Sequence, residues 1–294
     1  MLFAEGLAEP EGPAVLADGS WLAVEMGLHR GCVTHISQDG KSKRLVVKTG
    51  QPNGLAIDKQ GYIWVAERKT PSLLRVTLDG DCRVYLTECD GQPFLWPNDL
   101  AFGPDGCLYM TDSGIACRDF LPDGRFREDY LDIDYDGRVY KIDTKTGGIV
   151  QLDSGLRYAN GICFDAHYNL YVNETITGMV YRYEWRNGEL GPRRGFGNVI
   201  APDAPQGMKG PDGMKFGADG NLYVAVFAQG DVTVLGPEGQ IVRRIKTAGA
   251  RPTNLAFGRP GDHRIYVTEV ELGSIEVFDV PCTGLALHDG PVSR

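Results

Sequence analysis

Six copies of one sequence phrase follow each other along this chain of 294 residues. Each copy sets a polar residue beside Pro or Gly, then continues with a short apolar strand, a turn rich in Asp and Gly, and a second apolar strand. The polar residues recur about forty to sixty positions apart. They are Glu11, Asn53, Asn98, Asn160, Asp212 and Thr253. Repeats of this length, built from short strands, are typical of the blades of a β-propeller.

The periodicity within each copy is that of strands. Segments 72–78, 137–143 and 178–184 alternate apolar and polar residues, and no stretch carries a helical stripe. The sequence therefore predicts an all-β fold, a six-bladed β-propeller with four antiparallel strands per blade, as one domain over residues 1–294. The longest interval between copies predicts an insertion in blade three, at about 113–136, and such insertions often lie over a binding site.

The sequence allows two ways of closing the ring of blades. The outer strand of blade six comes either from residues 2–6 or from residues 285–287. We favour the first solution, because it joins the two ends of the chain in one sheet.

Composition narrows the classes of molecule that we expect this protein to bind. The net charge of −9 argues against nucleic acid and anionic membrane surfaces, since the sequence shows no basic patch, and favours a small neutral or weakly charged ligand. Seven scattered cysteines show no metal-binding spacing and no disulfide framework. The first residues lack the pattern of a signal peptide, and no run is long enough to span a membrane, so we expect a cytoplasmic protein, either a monomer or a small homo-oligomer.

The six recurring polar residues predict a metal site. The innermost strand of each blade lines the central tunnel, so these side chains should form a ring at its mouth. Carboxylate and amide oxygens without Cys or His suit a hard divalent cation. The alternative interpretation is that Asn and Asp before Gly are turn formers. That interpretation accounts for Asn53, Asn160 and Asp212 singly, but poorly for Glu11.

Four of these phrases together resemble the regucalcin/gluconolactonase family of six-bladed propellers, over nearly the whole chain. The phrases are Glu11-Gly12-Pro13, Pro97-Asn98-Asp99, Ala159-Asn160-Gly161 and Pro211-Asp212-Gly213-Met214. The resemblance implies a lactone hydrolase with one catalytic divalent ion. It implies Glu11, Asn160 and Asp212 as ligands, with Asn98 as a further ligand or a substrate contact.

Two departures from the family pattern bear on the site. Trp96 stands where family enzymes often carry an Arg that holds sugar hydroxyls, which favours an apolar or aromatic lactone. Lys215 stands where relatives place an acidic ligand of a second, structural calcium, so that second site is not expected in this chain. The expected cofactor is one divalent ion, Ca²⁺ in the first place, with Mg²⁺, Mn²⁺ or Zn²⁺ as alternatives.

The chemistry of such a site assigns roles to individual residues. A cation polarises the lactone carbonyl and lowers the pKa of a bound water, and a carboxylate beside it accepts the proton. We assign Asp212 as that base, with Asn98 as the second catalytic candidate, and Glu11 as a ligand only. The expected substrate contacts, on or next to the ring, are Asn53, Trp96, Tyr158 and Arg251.

The sequence leaves two other functions and one other metal site open. The same ring would serve a non-hydrolytic lyase, isomerase or condensing enzyme, or a regulatory propeller whose ion is structural. Residues 132–143 match a calcium-loop pattern, D-x-D-x-D-G with Asp at the twelfth position, but without flanking helices. A solvated turn leading into a strand is the favoured interpretation there.

Overall fold

The computed structural model describes residues 1–288, and these form a six-bladed β-propeller, which confirms the predicted fold class. Each blade is an antiparallel sheet of four strands, and the innermost strands of successive blades contact one another in a closed circle. Each strand alternates the side chains it presents to its two neighbouring blades, so the apolar residues of adjacent sheets pack into clusters between the blades.

The strands of the first three blades follow one another from the tunnel outwards. Blade one contains Pro10–Val15, Trp21–Glu25, Cys32–Ile36 and Lys43–Lys48. Blade two contains Pro52–Ile57, Ile63–Glu67, Ser72–Val76 and Cys82–Leu86. Blade three contains Pro97–Phe102, Leu108–Asp112, Gly137–Ile142 and Ile149–Leu156.

The other three blades follow in the same order. Blade four contains Ala159–Phe164, Leu170–Glu174, Met179–Tyr183 and Arg194–Asn198. Blade five contains Gly210–Phe216, Leu222–Phe227, Asp231–Leu235 and Ile241–Lys246. Blade six contains Pro252–Phe257, Arg264–Glu269, Ser274–Asp279 and Leu2–Ala4. Two short ribbons pair Glu88–Cys89 with Gln92–Pro93 and Trp185–Arg186 with Glu189–Leu190.

Residues 2–4 close the ring, as favoured from the sequence. Leu2 pairs with Glu276 and Ala4 with Ile275, and the amino group of Met1 donates a 2.9 Å hydrogen bond to the carbonyl oxygen of Val277. The alternative closure through residues 285–287 was wrong. That segment lies outside blade six, between isolated bridges that Gly284 and His288 make with blades five and three.

Five of the six second strands end in a buried acid whose carboxylate accepts backbone N–H groups. We call these residues the anchor acids: Glu25, Glu67, Asp112, Glu174 and Glu269. Each accepts an N–H two or three residues before the ring position of its own blade. The anchor acids therefore fix the approach of each innermost strand to the tunnel mouth. Blade five has Val226 at the equivalent position.

Residues 113–136 separate the second and third strands of blade three, and they contain a helical turn, Cys117–Phe120, and a 3₁₀ turn, Pro122–Gly124. Phe120 is fully buried in an aromatic cluster that includes Trp96 and Tyr158. Phe126 reaches Phe227 of blade five, with ring centroids 5.8 Å apart. This segment therefore extends from blade three towards blade five, above the residues that precede the ring positions.

Candidate active site at the tunnel mouth

A β-bulge interrupts the innermost strand of every blade next to its ring position. The pairing register shifts between Glu11 and Ala14 in blade one, and equivalent shifts occur in the other five blades. A bulge re-aims the side chains on the strand that carries it. The sixfold recurrence of the bulge explains why chemically matched residues, far apart in sequence, converge on one axis.

The position after each ring residue contributes to the site as well. It is Gly in four blades, but Asp99 in blade three and Asn254 in blade six. A Cβ on Gly54 would lie 2.6 Å from Oδ1 of Asp99, and a Cβ on Gly213 would lie 1.9 Å from Cγ of Asn254. The neighbouring glycines thus make the room that these two polar side chains occupy. Neither residue was predicted from the sequence, although their departure from Gly in the aligned repeats was the signal that could have found them.

Glu11 lies at the centre of a polar network and is only 1% exposed. Its Oε1 accepts a 2.6 Å hydrogen bond from the amide of Asn254, which also lies 3.5 Å from Oδ2 of Asp99. The ammonium group of Lys215 lies 4.0 Å from the same Asp99 oxygen. The carboxylates of Glu11, Asp99 and Asp212 thus lie close enough to interact electrostatically. One ammonium group, that of Lys215, lies near them.

Two buried oxygens of this ring have no hydrogen-bond partner. They are Oε2 of Glu11 and Oδ1 of Asn160. The amide nitrogen of Asn160 donates to Thr175 at 3.1 Å, so the side chain is held while its oxygen stays unpaired. Buried oxygens are almost always paired in folded proteins, and a hard cation is a partner that would satisfy both. The donor set therefore fits the predicted divalent ion.

Burial and mutual repulsion raise the pKa values of the two ring carboxyl groups. The pKa of Glu11 lies well above its ordinary value, first because of burial and then because of the charges of Asp99 and Asp212. The pKa of Asp212 is also raised, by burial and by Asp99, while Asn160 and Arg68 act in the opposite direction. Carboxyl groups in such a site repel each other when both are ionised, and a bound cation would offset that repulsion.

The side chain of Asn98 is oriented from both sides. Its Oδ1 accepts a 3.1 Å hydrogen bond from Asn53, and its Nδ2 donates to Ser113 at 2.9 Å. Asn53 in turn accepts from Nε1 of Trp96 at 3.2 Å. Asn98 keeps one lone pair on Oδ1 for a further partner. Thr253 differs from the other ring residues, because its hydroxyl donates to the carbonyl oxygen of Pro10 at 2.8 Å and joins blade six to blade one.

The expected substrate contacts divide into two groups. Trp96 and Tyr158 are buried, with ring centroids 5.4 Å apart, and both pack against the 113–136 segment. Arg251 is exposed, and its hydrogen bonds involve its backbone: its N–H donates to Glu269 and its carbonyl oxygen accepts from the N–H of Val270. The structure therefore does not bring its side chain into this cluster. The buried arginine of this region is Arg68, which was not predicted from the sequence. Its guanidinium lies 4.8 Å from the centroid of the Trp96 ring.

A surface groove lies away from the tunnel. It has a volume of about 420 Å³ and runs beside blades three and four. Two of its basic side chains are already paired with carboxylates, Lys141 with Asp105 at 2.7 Å and Arg193 with Asp153 at 3.5 Å. The ring brings together unpaired carboxylate and amide oxygens of the kind that bind a cation, which is why the candidate site is placed there.

Residues 132–136 form a loop that leads directly into the strand Gly137–Ile142. Asp132 and Asp134 are exposed, and Asp136 pairs with Arg138 at 2.8 Å. Across residues 1–288, no three side chains of His, Cys, Asp or Glu are grouped so as to hold a metal by themselves, so the ring relies on amide oxygens beside its carboxylates. In the same range, the helices are too short or too polar to cross a bilayer.

Two curated proteins align with most of this chain. The diisopropyl-fluorophosphatase of Loligo vulgaris is 27% identical over 297 residues, which is 94% of this chain and 90% of that protein. The gluconolactonase of Zymomonas mobilis is 28% identical over 219 residues, which is 71% of this chain and 58% of that protein.

A solved structure and a family model extend the comparison. The regucalcin of Agrobacterium tumefaciens, described as a calcium-binding protein, superposes with a TM-score of 0.77 at 18% identity, covering 100% of this chain and 96% of that one. Such a likeness establishes the propeller fold alone. The family model described as SMP-30/Gluconolactonase/LRE-like region matches residues 73–271. With two-thirds of its length matched and the six-bladed fold in place, the chain belongs to the SMP-30/gluconolactonase/LRE-like family.

Proposed function

We propose that this protein is a lactonase that hydrolyses small cyclic esters with the help of one divalent metal ion at the tunnel mouth. The ion would be held by Glu11, Asn98, Asn160 and Asp212, with Ca²⁺ as the first candidate. The observation that carries the proposal is the pair of buried, unpartnered oxygens on Glu11 and Asn160, beside carboxyl groups whose pKa values are raised. Membership of the family and the gluconolactonase relative support lactones as the substrate class.

When bound, the ion supplies a Lewis acid that polarises the lactone carbonyl and lowers the pKa of water. Asp212 retains partial exposure, so water can approach its carboxylate, and the charge of Asp99 makes that carboxylate more basic. Asp212 accepts the proton as water adds to the carbonyl carbon, and it returns that proton to the ring oxygen as the ester C–O bond breaks, which gives a hydroxy acid and restores the carboxylate. Glu11, fully buried and hydrogen-bonded to Asn254, has no access to water and serves as a ligand.

The residues around the ring orient the substrate and exclude water. Hydrogen bonds from Asn53 and to Ser113 hold the Asn98 amide in one orientation, where it can ligate the ion or bind the substrate. Trp96 and Tyr158 form an aromatic wall together with Phe120 of the 113–136 segment. An apolar wall of this kind strengthens the interactions of charged groups beside it by lowering the local dielectric constant.

The test is a panel of sugar lactones and apolar γ- and δ-lactones, assayed by proton release. The protein is first treated with a chelator, and Ca²⁺, Mg²⁺, Mn²⁺ or Zn²⁺ is then restored. Hydrolysis that returns with metal supports the proposal, and ¹⁸O from solvent should appear in the acid product. Diisopropyl fluorophosphate belongs in the panel, because a relative that aligns with 94% of this chain is named for it. A folded, metal-loaded protein that opens no lactone would overturn the proposal.

A further inference from the structure

Arg68 is a buried cation without a carboxylate partner. Arg68 directly follows the second strand of blade two and is only 8% exposed. Its Nε makes no hydrogen bond, and the guanidinium forms no ion pair with any carboxylate within residues 1–288. Several other arginines of this protein are paired with carboxylates, for example Arg30 with Glu25 at 2.9 Å and Arg138 with Asp136 at 2.8 Å. Arg68 therefore differs from them in being both buried and unpaired.

The guanidinium lies next to the candidate active site. It lies over the Trp96 ring, and the indole N–H of Trp96 is hydrogen-bonded to Asn53, which donates to Asn98. Its charge lowers the pKa of Asp212 and of Cys117 against the larger effect of burial, so it lies between the ring and the helical turn of the 113–136 segment. The tunnel mouth thus has a fixed positive group on the side of blades two and three.

An unpaired buried cation is unfavourable unless a partner arrives. Arginine presents only donors, in a planar fork that matches the two oxygens of a carboxylate, and stacking on Trp96 restricts the orientation of that fork. Lys215 lies near Asp99, on another part of the ring, so it does not compete for the same ligand group. The free donors of Arg68 therefore point to an anionic, planar acceptor on the ligand.

We infer that Arg68 and Trp96 form a subsite for a carboxylate group of the substrate, so that the preferred lactones are those carrying a carboxylate on the ring. The inference rests on the proposed lactonase function and narrows its substrate class. It also transfers to Arg68 the recognition role that was expected of Arg251 from the sequence. The aromatic wall would then hold the carbon skeleton of the lactone, while the carboxylate lies on the guanidinium.

The test compares γ-carboxy-γ-butyrolactone with its neutral carboxamide, in the metal-loaded full-length protein. Arg68→Met should lower kcat/KM for the carboxylated lactone by about 10- to 100-fold more than for the carboxamide, the range expected for charge-assisted hydrogen bonds; the effect of Arg68 on Asp212 is common to both substrates and cancels in the comparison. Arg68→Lys keeps the charge without the fork and should fall between the wild type and Arg68→Met. Arg243→Met, at an exposed arginine on the outer strand of blade five, is the matched control and should change neither substrate.

A binding measurement separates this inference from the lactonase proposal. Calorimetry with 2-hydroxyglutarate, the ring-opened acid, against 4-hydroxybutyrate needs no turnover. The wild type should bind the first more tightly, and both Arg68 variants should reduce the difference, even if no lactone is hydrolysed. Equal losses for both lactones in Arg68→Met would overturn the subsite, since Arg68 would then act on the reacting group or on Trp96. Unchanged kinetics, or no binding preference in the wild type, would overturn it as well.

Discussion

Two sets of polar residues recur around this propeller, and only one of them has unused bonding capacity at the axis. The anchor acids stabilise the fold, since each carboxylate accepts backbone N–H groups at the entrance of its blade. Glu67 alone among them keeps a buried oxygen unpaired within the described residues. In the ring, Glu11 and Asn160 each keep such an oxygen, and both face a shared site rather than one turn. Recurrence alone therefore does not identify a functional residue. Polar atoms that lack a hydrogen-bond partner at the axis are the more specific sign.

The largest expected effect comes from the base. Asp212→Asn should lower kcat for the preferred lactone by about 10²- to 10⁴-fold, the range that general bases contribute, because the amide cannot accept the proton. The change leaves the side-chain volume almost unaltered and removes a carboxyl group whose raised pKa destabilises the metal-free fold at neutral pH, so the thermal midpoint of the metal-free protein should equal or exceed that of the wild type. Steady-state kinetics and a thermal melt measure both quantities. Substantial turnover in this variant would exclude Asp212 as the base.

The next effect concerns metal binding. Glu11→Gln removes a ligand charge and leaves an amide beside Asn254, so the affinity for Ca²⁺ should fall by more than about 10-fold, the lower end of what a lost supporting contact brings. Calorimetric titration of Ca²⁺ into chelator-treated protein measures the affinity directly. If Ca²⁺ binds this variant as tightly as the wild type, the ion is held elsewhere.

An anchor acid should give the opposite result. Glu269 is fully buried and accepts hydrogen bonds from Arg251 N–H at 2.8 Å and Leu272 N–H at 2.6 Å. Glu269→Gln sets an NH₂ group against one of these donors and should lower the free energy of unfolding by about 1–3 kcal/mol. Urea denaturation measures that loss, while kcat per folded molecule should remain that of the wild type. A selective loss of activity would remove the distinction between the two sets.

The smallest effect is a change in pH dependence. The folded-state pKa values of Glu11 and Asp212 are raised, so the metal-free folded protein retains protons that the unfolded chain releases. The stabilisation from those protons is complete below the ordinary carboxyl range, roughly pH 4, and is lost as pH rises towards the raised values. Asp99→Asn removes a charge that raises both pKa values, so it should flatten this decline.

Thermal midpoints in chelator over a pH series measure the decline. Asp132→Asn, at an exposed aspartate of the 113–136 segment, is the control and should keep the slope of the wild type. If the thermal midpoint of Asp99→Asn falls with pH as steeply as that of the wild type, Asp99 does not interact electrostatically with Glu11 and Asp212 as described.

The sequence supported the fold more fully than the site, for physical reasons. The repeats predicted six blades, because each blade must bury the same apolar faces against its neighbours. The ring register followed from the same repeats. Asp99 and Asn254 were missed, because they occupy space that glycines leave in adjacent blades, and that space is visible only when the blades are assembled. Arg68 was missed because it follows an anchor acid and reaches the ring only through the packing of blade two on blade three.

The contact between Glu11 and Asn254 also bears on how the protein is made. These residues lie 243 positions apart and face each other across the junction of blades six and one. During synthesis on the ribosome, the first innermost strand must wait for the last one before the circle exists. Blade six is complete only when residues 2–4 have paired with the strand Ser274–Asp279. A nascent or truncated chain could hold several finished blades and still have no assembled ring at the tunnel mouth, so ligand binding would report the arrival of the final blade.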